Sequence, residues 1–423
     1  MASLLTARAG ENVLIIGDSL SKEYEYEGPG IGIDTFPRPS PYPQNWCEIL
    51  DDRRHDFFDF GDSDFHSDER LLGHDYNWSI PGSFAEEWHN DYLADPPSSL
   101  VSQLSQPQVK RIVIWLGGND VRANYGPLYK GELSPAAWAA ETYAHLAFVL
   151  DWVLARRQPD VQVVLVNVAH LGATPSKNED HPYDPVLTGH VTAALDDLNA
   201  QLSALARARE VGFADIYRMT KELVTAQQMS IGGWLIYKRS SGDGDTDAMF
   251  LDDGFHPNMP VQALFAQTIL DAFNSRYGTL LPRLTNREIV EKSLEESPEF
   301  TFTQWVTSYG VPEPERGGLA DPDKDGVPNI AEFGLDLDPM HVDSHLQPQP
   351  RITAQALSLT WQPRDPTNTT RCEITAQQSI DLTAWTDVPA AGITTGSPNT
   401  KTASVPAGSE PVWLRLKVRQ LAP

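Results

Sequence analysis

The chain has 423 residues, 40% of them hydrophobic and 21% charged, which is the composition of an ordinary globular protein with length enough for two or three domains. A formal charge of −26 argues against binding nucleic acid or an anionic membrane surface and favours solubility, cation binding or a saline habitat. No apolar run reaches membrane-spanning length.

A strand begins within the first fifteen residues, so no secretory leader is expected ahead of it. The chain is then either cytoplasmic or a mature, trimmed form. Cys47 and Cys372 fall in different predicted domains, which favours two buried free thiols over a bridge. From Val13 to about Pro282, short apolar runs alternate with longer amphipathic ones, the pattern of a parallel sheet covered on both faces. Val13–Ile16 reads as a buried strand ending in Gly17-Asp18-Ser19-Leu20. The stretch 22–73 is long, irregular and rich in Pro, Gly, Asp and aromatics, which predicts a functional loop or small elements of its own. Arg111–Leu116 and Val161–Val168 are further strands, and Gly212–Tyr217 a short one. Ser134-Pro135 starts a helix that runs to about Arg157. Helices are also expected over Thr188–Arg209 and Met259–Phe273.

The composition changes after Pro282. Residues 284–310 read as a polar helical connector and 320–339 as an acidic segment punctuated by Gly and Pro. From about Ile352 the chain alternates Thr, Val and Leu, as in Ala356–Trp361, Cys372–Ala376 and Val412–Val418, which predicts a small antiparallel β module. The expected domains are 1–283, 284–341 and 342–423. No internal repeat is visible.

Three constellations carry chemistry. Ser19, at the end of a buried strand, would face the sheet edge where open α/β folds bind ligands. Alone it is a turn residue or a helix cap. Leu251-Asp252-Asp253-Gly254-Phe255-His256-Pro257 puts a carboxylate three residues before a histidine, close enough to meet within one turn. Serine needs such a base, oriented by an acid, to attack an ester at neutral pH. The second set is Gly82, in a sharp turn that could offer its backbone N–H, and Asn119, which could offer its side-chain amide just past a strand. Both suit a developing oxyanion, and both are also common turn residues.

Taken in order, Gly17-Asp18-Ser19-Leu20, the Asn-x-x-x-x-Gly segment ending at Gly82, Gly117-x-Asn119-Asp120 and Asp253-x-x-His256-Pro257 resemble the blocks of the SGNH (GDSL) hydrolases over nearly all of residues 12–280. The resemblance implies a flavodoxin-like α/β/α sandwich with a mainly five-stranded parallel sheet. It implies Ser19 as nucleophile, His256 as base and then acid, and Asp253 as the orienting carboxylate, with Asp252 as the rival. Ser19, Gly82 and Asn119 would supply the oxyanion hole, and no cofactor would enter the chemistry.

The third constellation lies in the acidic segment. Asp321, Asp323, Asp325, Gly326, Val327, Asn329 and Glu332 occupy positions 1, 3, 5, 6, 7, 9 and 12 of an EF-hand calcium loop. The alternative is a solvated acidic linker. The loop also resembles the DxDxDG loops that join enzymes to β modules in secreted bacterial proteins, which implies a structural Ca²⁺. Asp62, Asp64, His66 and Asp68, with His74 and Asp75, read as a solvated acidic loop, because no spacing suits one metal. Arg122 and Tyr125 could approach a substrate. Asn77-Trp78-Ser79 and Asn368-Thr369-Thr370 match a glycosylation pattern that carries little weight alone.

These features predict a serine esterase acting on short O-acyl esters, with an acylated carbohydrate as first substrate and a secreted, periplasmic or surface location. A cytoplasmic location stays open. A lipolytic or aryl esterase is the alternative, and an inactive hydrolase-like binding or attachment protein is the alternative of another class.

Overall fold

The computed structural model describes residues 11–27, 43–68, 70–240, 245–296, 301–363, 372–396, 400–407 and 411–421, which leaves the Asn368 glycosylation pattern outside the described residues. The chain divides into two compact units, Met1–Gln228 with Tyr237–Leu281, and Met229–Ile236 with Pro282–Pro423.

In the first unit the apolar runs become strands of one sheet: β1 (Asn12–Gly17), β2 (Asn77–Ser79), β3 (Val109–Trp115), β4 (Gln162–Val166) and β5 (Gly212–Ala214). Their order is β2-β1-β3-β4-β5 and every pairing is parallel. This is the flavodoxin-like order, whose switch point lies between β1 and β3. Strands buried on both faces read as continuous apolar runs, and Val13 to Ile16 are all fully buried. Alternate residues serve opposite layers. Leu14, Ile16, Ile112 and Ile114 pack with Leu146, Val149, Leu195 and Leu198 of helices α3 (Pro135–Leu154) and α4 (Leu187–Ala208). Trp115 faces the other way, against Trp46 and Phe265 of α1 (Trp46–Arg54) and α5 (Met259–Tyr277). The result is the expected α/β/α sandwich.

Local signals account for the helix ends. Asn45 and Glu48 form a reciprocal capping box at α1, and the Ser134 hydroxyl accepts from Ala137 N–H at the start of α3. Two expectations are corrected. The strand predicted over Gly212–Tyr217 stops at Ala214, because Asp215 caps a helix over Ile216–Glu222 by accepting from Arg218 N–H. Cys47 is buried, but Cys372 is only half-buried; both thiols are free.

The second unit holds α6 (Asn286–Ser293), α7 (Phe302–Ser308) and α8 (Asn329–Leu335), followed by antiparallel strands. Chief among these are β6 (Ala356–Trp361), β7 (Cys372–Ser379), β8 (Lys401–Pro406) and β9 (Trp413–Gln420), pairing β6 with β8 and β7 with β9. Trp361, Ala376, Val388, Ala403 and Val405 form the core of the strands. Phe302, Trp305, Ile330 and Phe333 form that of α7 and α8. Among the described residues no helix is long and apolar enough to cross a membrane.

Candidate active site

The site is built on the carboxyl ends of β1 and β3, on either side of the switch point. Gly17 closes β1, and a Cβ there would come within 2.7 Å of Ser21 Cβ and 2.9 Å of Ser79 Oγ, so only glycine fits. The Asp18 carbonyl accepts from Ser21 N–H (3.0 Å) and Lys22 N–H (3.1 Å), and Asp18 Oδ1 accepts from Leu20 N–H (2.9 Å). Asp18 thus ties the turn on whose second residue, Ser19, the hydroxyl is carried. Burial, and then the neighbouring Asp120 carboxylate, push the Asp18 carboxyl up to about 7.

The Asp253–His256 loop closes on itself: Gly254 N–H donates to Leu251 O and Leu251 N–H to His256 O. Asp253 Oδ1 accepts from the backbone N–H groups of Phe255 and His256, both at 2.9 Å. Its Oδ2 meets His256 Nδ1 at 2.5 Å, and His256 Nε2 lies 2.9 Å from Ser19 Oγ. Asp253 is therefore the carboxylate that meets the imidazole, while Asp252 is exposed to solvent. Ser19 is 8% and His256 5% exposed, so the hydrogen-bonded chain runs largely shielded from water.

Two residues without a sequence signal hold this loop in place. The Tyr24 hydroxyl donates to Pro257 O (2.8 Å) and accepts from Gln262 Nε2 (2.6 Å), and the Tyr24 ring stands edge-on to the His256 ring.

Gly82 sits at φ +79° in the turn Ile80-Pro81-Gly82-Ser83, where Ser83 N–H donates to Ile80 O. Proline second and a positive-φ glycine third are the marks of a type II turn. Ile80 N–H donates to Gly17 O (3.1 Å), and Asn119 Nδ2 donates to Ser83 O (3.1 Å). The Gly82 turn is thereby fastened both to the end of β1 and to the first turn of α2 (Gly118–Tyr129). Among the described residues, neither Ser19 N–H nor Gly82 N–H meets an acceptor. Asn119 spends one amide hydrogen on Ser83 and retains the other.

Leu20, the last residue of the first block, lines a small apolar cavity of about 30 Å³ with Phe250, Phe255, Pro257, Val261 and Phe265. Tyr125 is buried, with its hydroxyl pushed up to about 12 by burial, and belongs to the core. Arg122 is exposed, its guanidinium 4.7 Å from the Phe255 ring beside His256. The Asp62–Asp75 segment forms a hairpin in which Asp68 pairs with Arg70 and His74 with Glu23. Asn77 is buried in β2 with its amide donating to Ser21 O (2.9 Å), which leaves it no room to carry a glycan.

In the second unit, carboxylate oxygens of Asp321, Asp323 and Asp325 lie within 4.8 Å of one another, and so do those of Asp325, Glu332 and Asp343. Val327 N–H donates to Asp325 Oδ1. The Asn329 amide donates to the Glu315 and Gly317 carbonyls (2.8 and 3.0 Å). Burial and the surrounding carboxylates push the Glu332 carboxyl up to about 9. Asp343 lies eleven residues beyond the predicted loop, and no sequence spacing pointed to it.

A family model for GDSL-like lipases and acylhydrolases matches residues 13–269. No curated protein matches the chain. Among solved structures, an extracellular lipase from Streptomyces rimosus is 15% identical and covers 63% of this chain and 100% of its own, with a TM-score of 0.37. A phospholipase A1 from Streptomyces albidoflavus is 16% identical over 63% of this chain and 100% of its own, with a TM-score of 0.35. A lipase from a goat rumen metagenome is 14% identical over 62% and 96%, with a TM-score of 0.38. With more than half of the chain matched by the family model, over the segment that carries Ser19, Gly82, Asn119, Asp253 and His256, the protein belongs to the GDSL-like lipase/acylhydrolase family of ester hydrolases.

Proposed function

We propose that the protein hydrolyses short O-acyl esters through an acyl-enzyme on Ser19. The observation that carries this reading is the unbroken chain from Asp253 Oδ2 through His256 to Ser19 Oγ, at 2.5 and 2.9 Å. With Asp253 accepting from Nδ1–H, Nε2 has its lone pair toward the serine hydroxyl. Ser19 Oγ attacks the ester carbonyl carbon as its proton passes to His256 Nε2. The N–H groups of Ser19 and Gly82 and the remaining amide hydrogen of Asn119 receive the oxyanion. Collapse of the tetrahedral intermediate breaks the bond to the alcohol, which leaves with the proton from His256. Water then gives a proton to the same nitrogen, attacks the acyl carbon and releases the carboxylic acid, restoring Ser19. On an aryl acetate, Ser19→Ala is expected to reduce turnover to the background rate, and full activity in that variant would end the proposal.

For the substrate we favour an acetyl-type group on a carbohydrate outside the cytoplasm, a choice supported by the appended second unit, which suits a polymeric substrate. One observation favours the lipolytic alternative: Phe65, Leu71 and Leu72 of the 63–74 hairpin are exposed, and apolar side chains grouped at a surface suit a lipid interface. Rates on nitrophenyl acetate, butyrate and longer esters, with acetate release from acetylated polysaccharide, separate the two. Activity that falls with chain length supports the first. Activity that rises with chain length and with added vesicles supports the second.

A further inference from the structure

We infer that the second unit holds one Ca²⁺ ion between the Asp321–Glu332 loop and Asp343, a ligand from outside the loop that clasps the segment after α8 to it. The observation that points to a ligand is Glu332. Its side chain is fully buried, yet neither Oε1 nor Oε2 has a hydrogen-bond partner. A carboxylate with both oxygens dry and unpartnered is among the costliest groups a fold can contain, unless a cation or a proton sits against it. Asp343 repeats the observation independently: it is 5% exposed and its Oδ1 is also unpartnered.

Asp321 Oδ1 and Asp323 Oδ2 are buried and unpartnered as well. The second oxygens of these aspartates are engaged, Asp321 Oδ2 by Gly326 N–H, Asp323 Oδ1 by Asp325 N–H and Asp343 Oδ2 by Asp338 N–H. Each aspartate is thus held by one oxygen and leaves the other available. Five free oxygens result, counting both of Glu332, and Asp325 belongs to both groups of close carboxylates. Oxygens that lie within 4.8 Å of one another can share one ion at a Ca–O distance of about 2.4 Å.

The donors are all oxygens, with neither histidine nor cysteine in either group, which selects a hard cation. Calcium takes six to eight oxygens in irregular geometry and accepts a bidentate carboxylate such as Glu332, whereas magnesium demands a near-ideal octahedron. Backbone carbonyls and water complete the shell.

The ion would act on the stability of the unit. Glu332 is on α8, whose Phe333 packs against Phe302 and Trp305 of α7. Asp343 N–H donates to Asp325 Oδ2 (3.0 Å), so a ligand at Asp343 fixes the chain that leaves α8 for the first strand of the sheets.

The test uses the full chain, stripped with EDTA and titrated with CaCl₂ by calorimetry and thermal melting. One saturable site is expected, with a rise in Tm of about 5–10 °C at a hundredfold excess over Kd. Glu332→Gln and Asp343→Asn are expected to weaken binding by about tenfold or more. Without calcium they should melt no lower than the wild type, because each removes a buried charge. That combination separates ligands from merely structural residues, whose loss would lower Tm with and without calcium. Absence of both heat and Tm shift in the wild type would overturn the site. An equal response to MgCl₂ would overturn its assignment to calcium, and wild-type titration of Asp343→Asn would overturn the role of Asp343.

Discussion

Replacing Asp253 by asparagine changes one atom type and reverses a proton. In the native chain Asp253 Oδ1 accepts two backbone N–H groups at 2.9 Å while Oδ2 faces His256 Nδ1 at 2.5 Å. An asparagine keeps the two backbone bonds with its carbonyl oxygen, which turns its NH₂ toward Nδ1. Nδ1 must then accept, the imidazole proton moves to Nε2, and Nε2 donates to Ser19 Oγ instead of accepting from it. The base has lost its lone pair while the loop stays folded. The expected fall in kcat is about 10⁴-fold, or about 5.5 kcal/mol of transition-state stabilisation, with KM little changed. Asp252→Asn is the internal control, since Asp252 is exposed, and it should stay within about threefold of wild type. Stopped-flow and steady-state rates on nitrophenyl acetate measure both. Retention of kcat within tenfold in Asp253→Asn, or greater damage in Asp252→Asn, would show that Asp253 does not orient His256.

Asn119→Ala should lower kcat by roughly 10²–10³ and cost about 1 kcal/mol of stability through the Ser83 carbonyl it abandons; a drop in stability with kcat intact would make Asn119 a structural tie only. Gly17→Ala forces a Cβ to within 2.7 Å of Ser21 Cβ and should destabilise by about 1–3 kcal/mol, read from urea midpoints. Asp18, raised from 3.8 to about 7, contributes stability that is present in full below about pH 4 and is lost as pH rises through about 7. Wild type should therefore lose ground against Asp18→Asn, which mimics the protonated acid, over that window. Parallel pH profiles of the two proteins would contradict the shift.

The parts of the fold legible in the sequence are those whose residues are constrained on every side. Val13–Ile16 and Ile112–Leu116 had to be apolar throughout because helices cover both faces of the sheet, and such runs stand out. β2 did not, because Asn77-Trp78-Ser79 is a three-residue edge strand with no period. Its place beside β1 is fixed by register, Ile15 opposite Asn77. The Asp215 helix was hidden because Ile216 and Tyr217 extend the apolar run past the true strand end at Ala214.

At the site, Ser19, Asp253 and His256 were legible as motif blocks, and the loop's own backbone bonds explain why a carboxylate three residues before a histidine can meet it. Tyr24 and Asp343 were not legible. Their partners lie 233 residues away in the first case and 18 in the second, in segments that only the folded chain brings together. Asp18 and Leu20 gain physical roles only in three dimensions, one tying the Ser19 turn and the other lining a small apolar cavity.

Activation of Ser19 as a nucleophile can be read out with a fluorophosphonate probe followed by peptide mass spectrometry. Stoichiometric labelling is expected at Ser19, slowed by orders of magnitude in His256→Ala and abolished in Ser19→Ala. An unlabelled Ser19 in folded wild-type protein, or equal labelling with and without His256, would contradict it.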